Sequence, residues 1–455
     1  MKKWIFLIII LLGATSTIFA QETTETLNIS QLQLDRLWVL ISAALVFFMQ
    51  AGFLALEVGL VRSHSITAVG MKNAIDFIVG SLAFYMVGFA LMFGHSWHGL
   101  IGTDIFFLFN LEFVSDGNPL GLTFFIFQVG FAATAITIVS GALAERIGFI
   151  SYLVASAVIG LIIYPIFGHW VWGSAFFGSN QAWLADLGFI DFAGSSVVHA
   201  TGGWIAFVGA LILGPRLGRY KKDGSITNFK PNNIAFSVLG TFILWLGWYG
   251  FNGGSTLAFN EDVDNIILNT TIAAIGGGIA AFFHSFFFQN KKEIYEKMIG
   301  GLLGGLVAIT ASCHLVSVVG SLCIGILAGV VHNLSFNFIA KVLKIDDPVG
   351  AIPVHAVCGT LGIIILPFFA LPGTLSNSIL VQFSIQVLGS VVCFVWAVGL
   401  GYLTFMFIKK FFGLRVSPQE ENAGITIPGT LQEEEEEEEE IDMEMLKELM
   451  GDEKQ

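Results

Sequence analysis

The sequence predicts an all-α integral membrane protein of eleven transmembrane helices, built as two inverted five-helix repeats plus a C-terminal helix. Three observations carry that prediction. Of 455 residues, 55% are apolar and only 12% charged, with a mean hydropathy of +0.79, a balance that suits a chain whose main solvent is lipid. Eleven apolar runs follow one another along the chain, each near the ~20 residues that cross a bilayer. One short pattern also occurs twice, five runs apart.

Residues 1–20 have the layout of a secretory signal peptide: Lys2 and Lys3, an apolar stretch from Trp4 to Leu12, then small and polar residues to Ala20. Ile18 is not ideal three places before such a cleavage, so an uncleaved extra helix is the alternative. Residues 21–35 are expected as a periplasmic segment. The apolar runs fall at about 36–60, 73–95, 119–142, 147–167, 195–214, 233–252, 266–289, 298–314, 317–340, 351–371 and 380–411, giving a transmembrane domain over 36–416. The eighth run is short and merges with the ninth around Ser312 to Ser317.

Charge placement orients the chain. With the N-terminus outside, sixteen basic residues, among them Arg62, Lys72, Arg146, Arg216, Lys341 and Lys409, gather at inner loops and helix ends, against Arg36 alone outside. That bias predicts an inner-membrane protein with a periplasmic N-terminus and a cytoplasmic C-terminus. The formal net charge of −13 belongs to an appendage: residues 417–455 hold 15 of the 34 acids and two of the 21 bases, so the body balances at 19 against 19. Eight consecutive glutamates (433–440) repel one another, which predicts a solvated, disordered acidic tail.

The repeated pattern is D-x7-H-A-x2-G. Asp191 precedes His199, Ala200 and Gly203; Asp347 precedes His355, Ala356 and Gly359. The copies open the fifth and tenth runs, an odd number of crossings apart, so they must run in opposite directions, as inverted repeats do around a midplane site. A histidine inside a spanning segment is costly unless it meets a partner or a cavity. The bland reading is a ring bonded to a helix carbonyl, and repetition at equivalent places argues against it. His199 and His355 are therefore expected to pair beside a lumen and to titrate as one unit. Asp191 opens a helix, and capping is its simplest role.

Cys313, Cys323, Cys358 and Cys393 sit singly in apolar stretches and imply neither disulfide nor zinc. A membrane enzyme with two histidine ligands would need a third ligand and a nucleophile motif, which are not near either histidine. No cofactor, metal or nucleic-acid partner is expected.

FFMQAGFLALEVGLVR (47–62), MKNAIDFIVGSLAFY (71–85), GALAERIGF (141–149), DFAGSSVVHATGG (191–203) and WLGWYGFNGGS (245–255), in this order, make the chain from about 36 to 417 resemble the ammonium transporters of the Amt/Mep/Rh superfamily. The resemblance implies transport of ammonium or ammonia across the lipid bilayer and a homotrimer with one pore per subunit. It implies recruitment of ammonium by Trp172, Ser255 and Phe131, a gate of Phe131 stacked on Phe251, and His199 and His355 as the twin histidines of the pore, with Asp191 supporting the recruitment site. Without it, Trp172 reads as an interfacial belt residue, the two phenylalanines as two of 44, and Ser255 as a turn residue. LRVSP (414–418) resembles the start of the family's cytoplasmic tail, but its Gly-Leu-Asp and His-Gly-Glu elements are absent. That weakens the expectation of a P-II-type regulatory partner. An ammonium sensor of the same fold is the competing reading.

Overall fold

The computed structural model describes residues 30–109, 117–289 and 291–425. The expected signal peptide, residues 21–29 and the glutamate run lie outside the described residues. Among the described residues, seven spanning helices come first: α1 (Gln31–Leu60), α2 (Ser63–Phe93), α3 (Leu122–Leu143), α4 (Phe149–Trp172), α5 (Ser195–Leu213), α6 (Ile234–Thr256) and α7 (Asp262–Phe288). Then follow the short α8 (Ile294–Ile309) and the long α9 (Val318–Val342), α10 (Ile352–Phe369) and α11 (Ile379–Phe411). The protein is an all-α membrane protein, and among the described residues the eleven expected helices are present, ten of them long and apolar enough to cross a membrane.

Three boundaries differ from the sequence reading, each for a physical reason. Helix α1 starts inside the segment assigned to 21–35, because Ser30 and Gln33 form a reciprocal capping box that satisfies the first free N–H groups. Helix α2 starts about ten residues before the apolar run. Lys72, Asn73 and Asp76 look like a polar flank, yet all three are buried and paired: Lys72 donates to the Ser140 carbonyl at 2.9 Å, Asn73 to Glu57 at 3.1 Å, and Tyr152 donates to Asp76 at 2.8 Å. Helix α8 has 16 residues, about 24 Å at 1.5 Å per residue, short of the ~30 Å hydrocarbon core. It can be short because protein rather than lipid surrounds it. A Cβ on Gly277 of α7 would lie 2.2 Å from the Gly301 carbonyl oxygen, and one on Gly305 would lie 2.3 Å from that of Ala273, so the α7 and α8 backbones touch. The chain then turns through Thr310–Leu315, and Ser317 caps α9 by accepting from Gly320 N–H at 3.1 Å.

Helices α5 and α10 cross at the centre. Each begins with a π-helical turn, Ser195–Ala200 and Ile352–Val357. Each turn is preceded by an aspartate that gathers its free N–H groups. Asp191 accepts from Gly194, Ser195, Ser196 and Val197 at 2.8–3.0 Å, and Asp347 accepts from Gly350, Ala351 and Ile352 at 2.7–3.1 Å. Gly194 (φ +110°) and Gly350 (φ +74°) supply the left-handed residue that each turn needs. At the crossing, Gly203 faces the Ala356 backbone nitrogen and Gly359 faces the Ser195 carbonyl and Ala200. One number rises as its partner falls, so the two helices run antiparallel.

A Cβ at Gly203 would meet the Ala356 nitrogen at 2.2 Å, and one at Gly359 would meet the Ser195 oxygen at 2.4 Å. Backbone cannot step aside as a side chain can. Gly203→Ala or Gly359→Ala should therefore each destabilise the protein by about 1–3 kcal/mol, read as a lowered unfolding midpoint in detergent. An unchanged midpoint would refute the close crossing.

One end of the bundle is tied by charge. Glu145, in the α3–α4 turn, pairs with Arg62 and with Arg216, and the Arg216 guanidinium forks onto Asp346 at 2.8 and 3.0 Å. Arg219 adds a contact to Asp346 at 3.2 Å. Residues 417–425, grouped with the acidic tail in the sequence reading, pack against this end instead. Ser417 caps a short helix α12 (Pro418–Ala423), buried Glu421 accepts from Leu217 N–H at 2.6 Å and Arg415 at 2.6 Å, and Ile425 lies against Ala68. A side chain that satisfies two donors costs little to bury, which is why this stretch folds despite its charge.

Candidate functional site

The five aromatic and histidine side chains singled out by the sequence form one file of rings. Trp172, at the end of α4, donates its indole N–H to the Asp191 carbonyl at 2.7 Å, which fixes its plane. Phe131 of α3 stands edge-on to Trp172, centroids 6.1 Å apart, and stacks on Phe251 of α6 at 4.0 Å and 22°. Both phenylalanines are fully buried. Phe251 stacks on His199 at 5.3 Å, and His199 on His355 at 5.2 Å. The file thus runs from the end of α4 to the α5–α10 crossing.

The π turns bring the histidines together. The Nδ1 atoms of His199 and His355 are 3.2 Å apart. One must donate and the other accept, because a neutral imidazole carries a single N–H. His199 Nε2 is buried without a protein partner, a costly position unless a small polar species visits it. Ser255 sits one turn beyond Phe251 and donates to its carbonyl at 2.8 Å. Its oxygen keeps lone pairs for another donor.

Asp191 joins the site through its backbone and the helix turn it caps. Its carboxylate takes a further bond from Ser196 Oγ at 2.6 Å, so its oxygens are spent on structure. Asp347 likewise caps the turn at the other copy, through backbone N–H groups.

Two groups beside the rings carried no sequence signal of their own. Trp248 stacks on His199 at 5.1 Å and 17° and donates to Thr310 at 2.9 Å. It sits inside the WLGWYGFNGGS stretch, but as one of ten tryptophans nothing marked it. Glu57 of α1 shares with His355 the wall of a cavity of about 20 Å³, enough for one water-sized molecule. Phe53, Leu303 and Val354 make its apolar lining.

Among the described residues, no group of three metal-ligating side chains comes together. The arrangement is an aromatic passage ending at a buried imidazole pair with a small apolar void beyond.

A family model described as Ammonium Transporter Family matches residues 37–429. Ammonium transporter Amt2 of Archaeoglobus fulgidus is 43% identical over 437 residues, covering 92% of both chains. Among solved structures, one of a protein named Sensor Amt Protein is 44% identical, with a TM-score of 0.85 over 88% of this chain and 99% of that one. Mep2 of Saccharomyces cerevisiae is 26% identical, with a TM-score of 0.75 over 84% of this chain and 87% of that one.

Proposed function

Since the chain belongs to the ammonium transporter family, we propose that it moves ammonium across the membrane by deprotonating it and passing ammonia between the paired histidines. The observation that carries this reading is the buried Nδ1–Nδ1 contact of 3.2 Å between His199 and His355, set below stacked Phe131 and Phe251. Ammonium rests first against the Trp172 face by cation–π attraction and donates to Ser255. Phe131 and Phe251 then separate to let it pass. A bare ion would meet a desolvation penalty of order ten kcal/mol in the narrow apolar stretch. Giving its proton to the imidazole pair removes most of that penalty, and potassium has no proton to give. Asp191 holds the π turn and, through its carbonyl, the Trp172 ring.

The proposal extends to setting. The basic bias supports an inner membrane location with α1 entering from the periplasm and α11 ending in the cytoplasm, which puts Trp172 outside and the Glu145 cluster inside. The family resemblance supports a homotrimer. Without the tail elements that a P-II-type protein would meet, no such partner is proposed.

The test is flux into proteoliposomes. Ammonium and methylammonium should both drive saturable transport, and potassium none. Trp172→Leu should raise the half-saturating ammonium concentration about 2- to 5-fold, the loss of a cation–π contact of about 0.5–1 kcal/mol. Absence of any ammonium flux in the intact protein would overturn the reading. The similarity to the protein named Sensor Amt Protein favours one second reading, a receptor that reports ammonium occupancy through its tail. Flux that survives deletion of residues 426–455 supports transport; no flux at any pH supports sensing.

A further inference from the structure

The mechanism above gives helix α11 no part. Yet two of its side chains are buried amides, Gln382 at 1% and Gln386 at 0% exposure. An amide inside a spanning helix is costly unless its donors and its acceptor are met. Gln386 meets them on the segment before α5. Its Oε1 accepts from the Ile190 N–H at 2.9 Å, and its Nε2 donates to the Ile190 carbonyl at 2.7 Å. A further contact from Nε2 reaches the Ile363 carbonyl of α10 at 3.4 Å. Gln382 donates to Gln386 Oε1 at 3.2 Å and to the Gly188 carbonyl at 2.7 Å. Turning the Gln386 amide over would set donor against donor at Ile190, so one orientation alone satisfies the pair.

Ile190 is the residue before Asp191, and the Asp191 carbonyl accepts the Trp172 indole N–H at 2.7 Å. Trp172 also meets the capped turn at the far edge of its ring, since a Cβ on Gly194 would lie 3.0 Å from its Cη2. The plane of the indole therefore follows the position of residue 191. Shape holds the same segment to α11. A Cβ on Gly389 would lie 2.2 Å from the Phe189 ring, so that ring rests on bare helix backbone. Downstream, the Phe192 and Ala193 N–H groups donate to the Ala311 and Thr310 carbonyls at 3.2 and 3.1 Å. The turn that carries His199 has an anchor of its own, because Ser195 Oγ donates to the Val307 carbonyl at 2.7 Å. Trp172 has no second hydrogen bond to make, because an indole carries one N–H.

Resting on the recruitment reading above, we propose that Gln386 is a positioning residue for ammonium recruitment: its two-point grip on Ile190 holds the Asp191 carbonyl in place and so sets the aromatic face of Trp172 that ammonium meets. Helix α11 then serves the site without reaching it. A cation is attracted to the face of a ring, over its centre, so a tilt of the indole weakens the contact even where the ring stays nearby. The effect of losing Gln386 runs through Trp172 and is bounded by what Trp172 contributes. Methionine has a similar length but no N–H and only a weak acceptor, so Gln386→Met takes both partners from Ile190 while keeping the space filled.

The experiment is the concentration dependence of ammonium flux in proteoliposomes for the intact protein, Gln386→Met, Trp172→Leu and the double variant. Gln386→Met should raise the half-saturating concentration about 2- to 3-fold, inside the range of one cation–π contact. In the Trp172→Leu background the same change should add nothing, because the two act through one contact. A purely structural role would lower the amount of folded protein, hence the maximal flux, and leave half-saturation where it was. An unchanged half-saturation in Gln386→Met, a rise larger than that of Trp172→Leu, or a rise that persists in the double variant overturns the positioning role. Should Gln386→Met yield no folded protein, Gln382→Met takes its place: it keeps the Ile190 pairing but removes the group that orients it. Its smaller rise should likewise vanish without Trp172, and no rise overturns the proposal. A Trp172→Leu variant that saturates like the intact protein overturns the recruitment reading instead, so the two failures are distinct.

Discussion

His199→Ala should cut ammonium flux roughly 10- to 150-fold while the protein still folds. The estimate follows from what the ring does. It stacks on both Phe251 and Trp248 and shares a 3.2 Å contact with His355, and its Nε2 atom is buried without a protein partner. A hydrogen bond to a charged group contributes about 1.5–3 kcal/mol, and each 1.36 kcal/mol is a factor of ten in rate. The alanine leaves space where the imidazole stood, so water can enter, and selectivity should fall with rate: potassium current, absent in the intact protein, should appear. His355→Ala should act in the same direction, and the double variant should be no worse than the more damaging single one, because the pair acts as a unit. Current and flux in proteoliposomes under ammonium and potassium gradients decide it. Two single variants with unchanged rate and selectivity would end the relay proposal.

Asp346→Ala should produce the largest loss of stability, about 3–5 kcal/mol, the cost of leaving buried charge without its partner. Asp346 is fully buried and accepts from both arms of the Arg216 guanidinium and from the Arg216 N–H, with Arg219 close by. Its removal leaves Arg216 with Glu145 as its remaining carboxylate and takes the ion-pair partner from Arg219, both in the α5–α6 loop. Burial alone would raise the Asp346 carboxyl, but the facing arginines, Arg216 foremost, hold it well below the usual carboxylate range. The sign of the pH dependence follows. A carboxyl with a depressed folded pKa contributes its stability above the unfolded value near 3.9 and loses it as pH falls through the folded one. The intact protein should therefore lose stability on acidification below about pH 4, with a slope that Asp346→Ala removes. Burial also pulls the neighbouring Arg146 guanidinium down to about 10, with Asp346 opposing, so near neutral pH that cation stays charged. Unfolding midpoints in detergent across pH 3–7 test both points.

The number and order of the helices were legible because a spanning helix advertises itself by length and hydropathy alone. The antiparallel relation of α5 and α10 was legible too, since an odd count of crossings leaves no choice. What the residues did not reveal was the inside of α1 to α4. There Glu57, Lys72, Asn73 and Asp76 satisfy one another or Ser140 and Tyr152, so polar letters that read as a flank are interior. Partnership is a property of three dimensions, and a single sequence prints only the letters. The basic residues counted toward orientation show the same limit: Arg146 and Arg216 do lie at helix ends, yet they are buried and bonded within the fold rather than spread on a membrane surface. At the site, the histidines stood out by their repeated context. Trp172, Ser255, Phe131 and Phe251 did not, and only resemblance to a family separated them from other aromatic and turn residues. Trp248 and Glu57 lie inside strings that carry the resemblance, yet nothing assigned either a role.

The crossing of α5 and α10 bears on how fast the protein can work. With Gly203 against the Ala356 nitrogen and Gly359 against the Ser195 carbonyl, main chain meets main chain and no side chain lies between them to flex. Rocking one half-site past the other would have to break that contact at every turnover. The cheaper motion is rotation of the Phe131 and Phe251 rings about their own bonds, a change on the scale of side-chain rotamers rather than domains. Throughput would then be set by the frequency with which two rings part. Transport by the proposed route would then be that of a gated pore rather than of a carrier that rebuilds its shape for each molecule moved.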